Sequence, residues 1–181
     1  CGCQYALSLN REGIMSNIVV DGTKIRLEKE NSIHQIINST FNSGLELKSE
    51  NLSVEIYNSI LDDISIENNY INVDLKNSNI HPGLITYGTS PISHQFTCTL
   101  DTNNLIYSAP LFVDAANGDY SLSNFSPCIG AGLDTSIVPT TDILGNPRPN
   151  PSGSNPDIGA YEHVLGTYDI LGCMDTLATN F

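Results

Sequence analysis

Glu55 and Asp74 each stand three positions before an asparagine, Asn58 and Asn77. Tyr57 and Lys76 stand one position before the same asparagines, and Gln35 and Ile37 hold the matching places before Asn38. If these segments stack as neighbouring parallel strands, Gln35, Glu55 and Asp74 form one outward column, with Ile37, Tyr57 and Lys76 in the column beside it. Successive members would sit about 4.8 Å apart, the spacing of hydrogen-bonded strands. Two carboxylates at that distance could bind Ca²⁺ or act as the paired acid and base of a glycoside hydrolase. Lys76 could serve as the base of a lyase if its pKa were lowered, and Tyr57 offers a ring to a sugar. The competing reading is a solvated acidic face with one compensating lysine, the commoner use of charges on exposed strands.

Other reactive residues form no constellation. His34 falls in an inward-facing column, as a core residue would. His81, His94 and His163 lie in turns without metal-ligand spacing, and Asp62 and Asp63 sit where a turn calls for local hydrogen bonding. There is no nucleophile elbow, phosphate loop or zinc spacing. No cofactor is expected, calcium at Glu55 and Asp74 being the one ion the columns suit. The Asn-x-Ser/Thr matches at Asn38, Asn51 and Asn124 carry little weight, and the absence of tryptophan weakens a sugar-stacking platform.

Composition narrows the partners. A net charge of −13 over 181 residues argues against nucleic acid, whose binding depends on Lys and Arg at phosphates. It disfavours anionic membranes, and polyanionic sugars unless divalent cations bridge them. No apolar run approaches a membrane span. The sequence opens at Cys1 without a signal peptide and reads as a mature or excised fragment. Five cysteines, Cys1, Cys3, Cys98, Cys128 and Cys173, leave at least one without a partner in the chain, and spacing does not decide the pairing. A lipid anchor at Cys1 is the lesser reading, because strand-like Tyr5-Ala6-Leu7-Ser8-Leu9 follows at once.

The elements that must hold the columns follow from a repeat. Asn17, Asn38, Asn58 and Asn77 recur about every 20 residues. Four and two positions before them stand Gly13 and Met15, His34 and Ile36, Val54 and Ile56, Val73 and Leu75. One and three positions after stand Ile18 and Val20, Ser39 and Phe41, Ser59 and Leu61, Ser78 and Ile80. The inward parity changes across the asparagine. A continuous strand does not allow that, since a one-residue slip turns every side chain to the other face. Each asparagine is therefore a corner in the left-handed conformation, which Asn tolerates better than most residues. A third strand follows, with Ile25 and Leu27, Leu45 and Leu47, or Ile64 and Ile66 inward, and polar turns at Asn31, Asn51 and Asn69. Three short strands per coil match an all-β, right-handed parallel β-helix. Stacking predicts a ladder of corner amides and a column of buried serines. The apolar period of two excludes helical repeats.

The coils end near Ile80, and a looser stretch with Pro82, Gly83, Gly88 and Pro91 follows. A dense series then begins: Pro110-Leu111-Phe112-Val113-Asp114, Gly118-Asp119-Tyr120-Ser121-Leu122, Ser126-Pro127-Cys128-Ile129-Gly130-Ala131-Gly132, Asp142-Ile143-Leu144-Gly145-Asn146-Pro147-Arg148-Pro149 and Pro156-Asp157-Ile158-Gly159-Ala160-Tyr161-Glu162. In order and spacing it resembles the C-terminal part of bacterial right-handed parallel β-helix proteins of the choice-of-anchor Q type, in the pectin-lyase-like superfamily. The resemblance covers about residues 13–163. Gly130 departs from it, since the family usually has Asp there, so no metal site is carried over from that signature. The final Gly172-Cys173-Met174-Asp175-Thr176-Leu177-Ala178-Thr179-Asn180-Phe181 resembles the opening of a Cys-bounded, Asp-rich repeat of secreted marine bacterial proteins. That resemblance implies that the partner of Cys173 lies beyond the chain, in an oxidising, extracellular setting.

The expected organisation is β-helix coils over 1–109 with a looser final segment, a C-terminal cap of the same domain over 110–163, and a linker with a truncated repeat over 164–181. A β-helix must cover the cross-section of its core. Phe112, Leu122, Ile129, Ile143, Ile158 and Tyr161 are spaced to do so, with Arg148 clasping Asp142 or Asp157. The expected function is a non-catalytic extracellular or cell-surface module of a larger secreted bacterial protein, structural or in contact with extracellular polysaccharide. The alternative is a fragment of a polysaccharide lyase or glycoside hydrolase, with Glu55, Asp74 and Lys76 as its catalytic candidates.

Overall fold

The computed structural model describes residues 7–9, 13–22, 24–68, 70–80, 85–87, 96–106 and 108–168. The Asn frame produces the expected coil. In the first, β2 (Gly13–Ser16) meets β3 (Val19–Val20) across Asn17, and β4 (Ile25–Leu27) closes the circuit. The pattern repeats as β5 (Ile33–Ile37), β6 (Thr40–Phe41) and β7 (Leu45–Leu47), and then as β8 (Ser53–Tyr57), β9 (Ile60–Leu61) and β10 (Ile64–Ile66). The next coil has β11 (Ile71–Lys76), β12 (Asn79–Ile80) and β13 (Ile85–Tyr87). Equivalent strands stack in parallel into three five-stranded sheets, and β1 (Leu7–Leu9) pairs below β4. The fold is an all-β parallel β-helix.

Coils do not stop near Ile80. Besides β13, the stretch read as loose supplies β14 (Phe96–Leu100), paired with β11, and β15 (Leu105–Ile106), paired with β12. Its Pro and Gly residues had masked the frame; His81, His94 and much of 81–95 lie outside the described residues.

All four corner asparagines are left-handed, with φ of 52° at Asn17, 46° at Asn38, 48° at Asn58 and 44° at Asn77. A second left-handed column runs through the polar turns at Asn31 and Asn51, and Tyr70 takes its place one coil on, at φ 59°. Asn69, the residue expected there, lies outside the described residues. These corners turn Leu27, Ile36, Phe41, Leu45, Leu47, Val54, Ile56 and their equivalents into one continuous buried core. Each such aliphatic or aromatic side chain contributes about 1.5–3 kcal/mol by leaving water. His34 is buried in that core, with Nε2 at 3.0 Å from the Ser32 hydroxyl.

The serine column forms as expected. Ser39, Ser59 and Ser78 are fully buried. The Ser59 Oγ accepts the Ser39 N–H at 3.2 Å, and the Ser78 Oγ accepts that of Ser59 at 3.2 Å. Each hydroxyl donates to the carbonyl two residues back, so donor and acceptor capacity are both used inside the core.

The C-terminal block opens with an antiparallel hairpin of β16 (Phe112–Asp114) and β17 (Asp119–Leu122). Beyond it, residues 123–168 form turns and a single isolated bridge, Thr141 to Pro147. The block caps the solenoid along its flank, from the first coil to the fourth, where an end-on cover was expected. Ile129, Ile158 and Leu122 form a second buried cluster with Cys128 and Ile60, against which Phe112 packs half-buried. Ile143, expected to help cover the core, is exposed.

Candidate functional site

The outer columns assemble as the sequence predicts. Gln35 is in register with Glu55, and Glu55 with Asp74; Ile37, Tyr57 and Lys76 align beside them. Their chemistry is spent internally. Gln35 Nε2 donates to Glu55 Oε2 at 2.8 Å, and the Tyr57 hydroxyl approaches the same oxygen at 3.5 Å. Lys76 Nζ lies 2.9 Å from Asp74 Oδ2, 3.4 Å from the Tyr57 hydroxyl and 5.1 Å from the centre of its ring. The hydrogen bond to Asp74, then that to Tyr57, hold the Lys76 pKa above its ordinary value. A lyase base needs the opposite shift, so the raised value weighs against Lys76 in that role. Among the described residues no group of three or more His, Cys, Asp or Glu is arranged to hold a metal ion.

The corner column is where the structure departs most from expectation. The asparagine amides do not ladder with one another. Each amide nitrogen donates instead to a backbone carbonyl of the C-terminal block: Asn77 to Ala131 at 3.2 Å, Asn58 to Leu133 at 2.8 Å, Asn38 to Asp157 at 3.0 Å and Asn17 to Thr141 at 2.7 Å. Asn58 bonds twice, since its Oδ1 accepts the Leu133 N–H at 2.7 Å. The left-handed corner turns the amide away from the core, and a segment without strands has carbonyls free to meet it. The block is thus a strap on the asparagine column.

Buried charge stiffens the strap. Arg148 pairs with Glu162, Nε to Oε2 at 2.9 Å, with neither side chain exposed. Asp142 and Asp157, the partners expected, instead bind backbone N–H groups. Arg148 also donates to Asn17 Oδ1 at 3.1 Å and to the carbonyls of Gly159 and Ala160. Asp157, fully buried, accepts the N–H groups of Gly130 at 2.7 Å and His163 at 2.6 Å. Burial, and next the nearby Glu162 charge, outweigh those donors and push its pKa up to about 7. Burial also raises Glu162. Asp142 feels burial too, but donors from Glu162, Asn146 and Leu144 outweigh it and hold that carboxyl low. Gly130 sits at φ 63°, and a Cβ there would drive into the Gly166 carbonyl, so an aspartate has no room. Cys128 is a free, buried thiol among the described residues, pushed up to about 12 by burial. Cys1, Cys3 and Cys173 lie outside them.

Above Asn77 the corner changes form. Leu75 pairs with Leu100 and Asn79 with Leu105, so the single-asparagine corner gains one residue and becomes the loop 101–104. Asp101 Oδ1 accepts the Asn77 N–H at 3.3 Å. Asn104 Oδ1 accepts that of Ser78 at 2.8 Å, taking the place of the next ladder serine. The tip, Thr102 and Asn103, bulges outward. Between it and strap residues 130–134 opens a cleft of about 590 Å³.

No protein-family model, curated protein or solved structure matches the chain. Sequence reasoning found the outer columns and the corner asparagines but missed Glu162 and the loop 101–104. The signal for the loop was present: Asp-Thr-Asn-Asn stands where a corner is due, one residue long for the frame.

Proposed function

We propose that the chain is a non-catalytic β-helix module of a larger secreted bacterial protein, acting at the cell surface or outside it as a rigid scaffold that contacts extracellular carbohydrate. One observation carries the non-catalytic part: the outer-face groups that could do chemistry are committed to one another, Lys76 to Asp74 and Tyr57, and Glu55 to Gln35. Most cations among the described residues are engaged as well. Lys24, Arg26, Lys48, Lys76 and Arg148 each pair with a carboxylate. With a net charge of −13, this favours a neutral glycan over a polyanionic one. The solenoid, tied along its flank by the strap, suits a spacer that must hold its shape. Among the described residues no helix is long and apolar enough to cross a membrane. The choice-of-anchor Q resemblance supports the secreted setting, and one fold hosts many functions, so the superfamily's enzymes do not by themselves argue for activity. The test is incubation of the chain with a panel of polysaccharides, followed by assays for new reducing ends and unsaturated products. Neither is expected; unsaturated products lost on Lys76→Ala would replace this reading with a lyase, and new reducing ends alone would replace it with a glycoside hydrolase.

A further inference from the structure

The cleft above Asn77 has a chemistry of its own. One wall is the corner loop with Thr102, Asn103 and Leu105; the other is strap backbone from Gly130 to Asp134. Thr102, Asn103 and Asp134 are exposed. Among the described residues, none of these three side chains is spent on a hydrogen bond or ion pair within the protein. A hydroxyl, an amide and a carboxylate without protein partners therefore line the cleft from its two walls. Asn77 lines the same cleft, and its buried Oδ1 accepts no hydrogen bond among the described residues, whereas that of Asn58 one coil below is satisfied by Leu133. Leu105, Ala131 and Leu133 add an apolar strip. The strap wall packs closely at Gly132, where a Cβ would stand 2.6 Å from the Pro156 carbonyl.

Among the described residues no Lys, Arg or His lines the cleft. Phosphate, sulfate and uronate groups would meet Asp134 with no counter-charge. A bare cation would find one carboxylate, too few for a calcium site. What fits is a ligand with many hydroxyls, no charge and an apolar C–H face. Adjacent hydroxyls match a carboxylate that accepts two hydrogen bonds and an amide that both donates and accepts. The volume lies within the range of small-molecule sites.

We propose that this cleft binds a neutral sugar ring of an extracellular glycan, with Asp134 and Asn103 taking its hydroxyls and Leu105 and Leu133 its apolar face. The proposal rests on the carbohydrate-contacting part of the function above and places that contact at the top of the asparagine column, away from the Glu55–Asp74 face.

The test is a titration of the whole chain, by calorimetry and by backbone NMR shifts, with neutral gluco-, galacto-, manno- and xylo-oligosaccharides, and with uronate-containing and sulfated oligosaccharides for comparison. At least one neutral series is expected to bind, shifting the amides of 102–105 and 130–134. Asn103→Ala with Asp134→Ala should weaken binding tenfold or more with Tm unchanged, and Glu55→Gln should leave it intact. Equal binding by the double variant would overturn the cleft and leave carbohydrate contact elsewhere standing. Tighter binding of the charged oligosaccharides would overturn the neutral-ligand assignment. Binding of no oligosaccharide would overturn the cleft and reduce the function to scaffolding. Cleavage of any would overturn the non-catalytic reading itself.

Discussion

Replacing Asn58 separates the two roles of a corner asparagine. The residue is fully buried, at φ 48°, and exchanges two hydrogen bonds with Leu133 at 2.7 and 2.8 Å. Asn58→Leu removes both and leaves a strap N–H and a strap carbonyl without partners, at about 1–3 kcal/mol each. The left-handed corner costs a further 1–2 kcal/mol or so for a residue with no local polar compensation. The expected loss is therefore about 3–8 kcal/mol, against a typical total stability of roughly 5–15 kcal/mol. Asn58→Gly loses the same bonds but adopts the corner freely, so Asn58→Ala should be the less stable of that pair by about 1 kcal/mol. The measurement is urea unfolding followed by far-UV circular dichroism, with linear extrapolation to water. A glycine variant within 0.5 kcal/mol or so of wild type would show that the bonds to Leu133 contribute no net stability. An alanine variant as stable as the glycine one would remove the strain from the account.

Three further outcomes follow from the same geometry. Asp157 has a folded pKa raised to about 7, so the native state holds a proton that the unfolded chain has already released above its ordinary value near 3.9. That contribution is complete below the unfolded pKa and lost as pH rises through the folded one. Tm should therefore fall between pH 5 and pH 8, and the slope should flatten in Asp157→Asn; a Tm that rises over this window would contradict the assignment. Tyr70 stands exposed at φ 59° where the coils below use Asn31 and Asn51, so Tyr70→Asn should raise stability by about 0.5–1 kcal/mol in the same urea assay, and a destabilised variant would count against the second left-handed column. Calcium should leave Tm unchanged, because Glu55 and Asp74 already have protein partners; a calcium-dependent rise abolished by Glu55→Gln with Asp74→Asn would restore the cation site.

The coil was legible because it is local. Inward parity, the corner asparagines and the buried serines all follow from period-two alternation within some twenty residues and from the few residue types that tolerate positive φ. Stacking then repeats that frame, and the register of Gln35, Glu55 and Asp74 comes with it. What the sequence did not determine is who meets whom across the fold. The partner of Asn58 lies 75 residues away and that of Asn17 lies 124 away, on a segment with no period to align. Only packing decides that the amides bind the strap rather than one another, and that Arg148 takes Glu162 rather than either aspartate. The protonation of Lys76 belongs to the same class: its position was readable, but the direction of its shift depends on Asp74 and Tyr57 closing around it. The cleft arises where the two kinds of information meet. One residue added to a corner is a sequence fact, and the strap wall facing it exists only because the chain returns there.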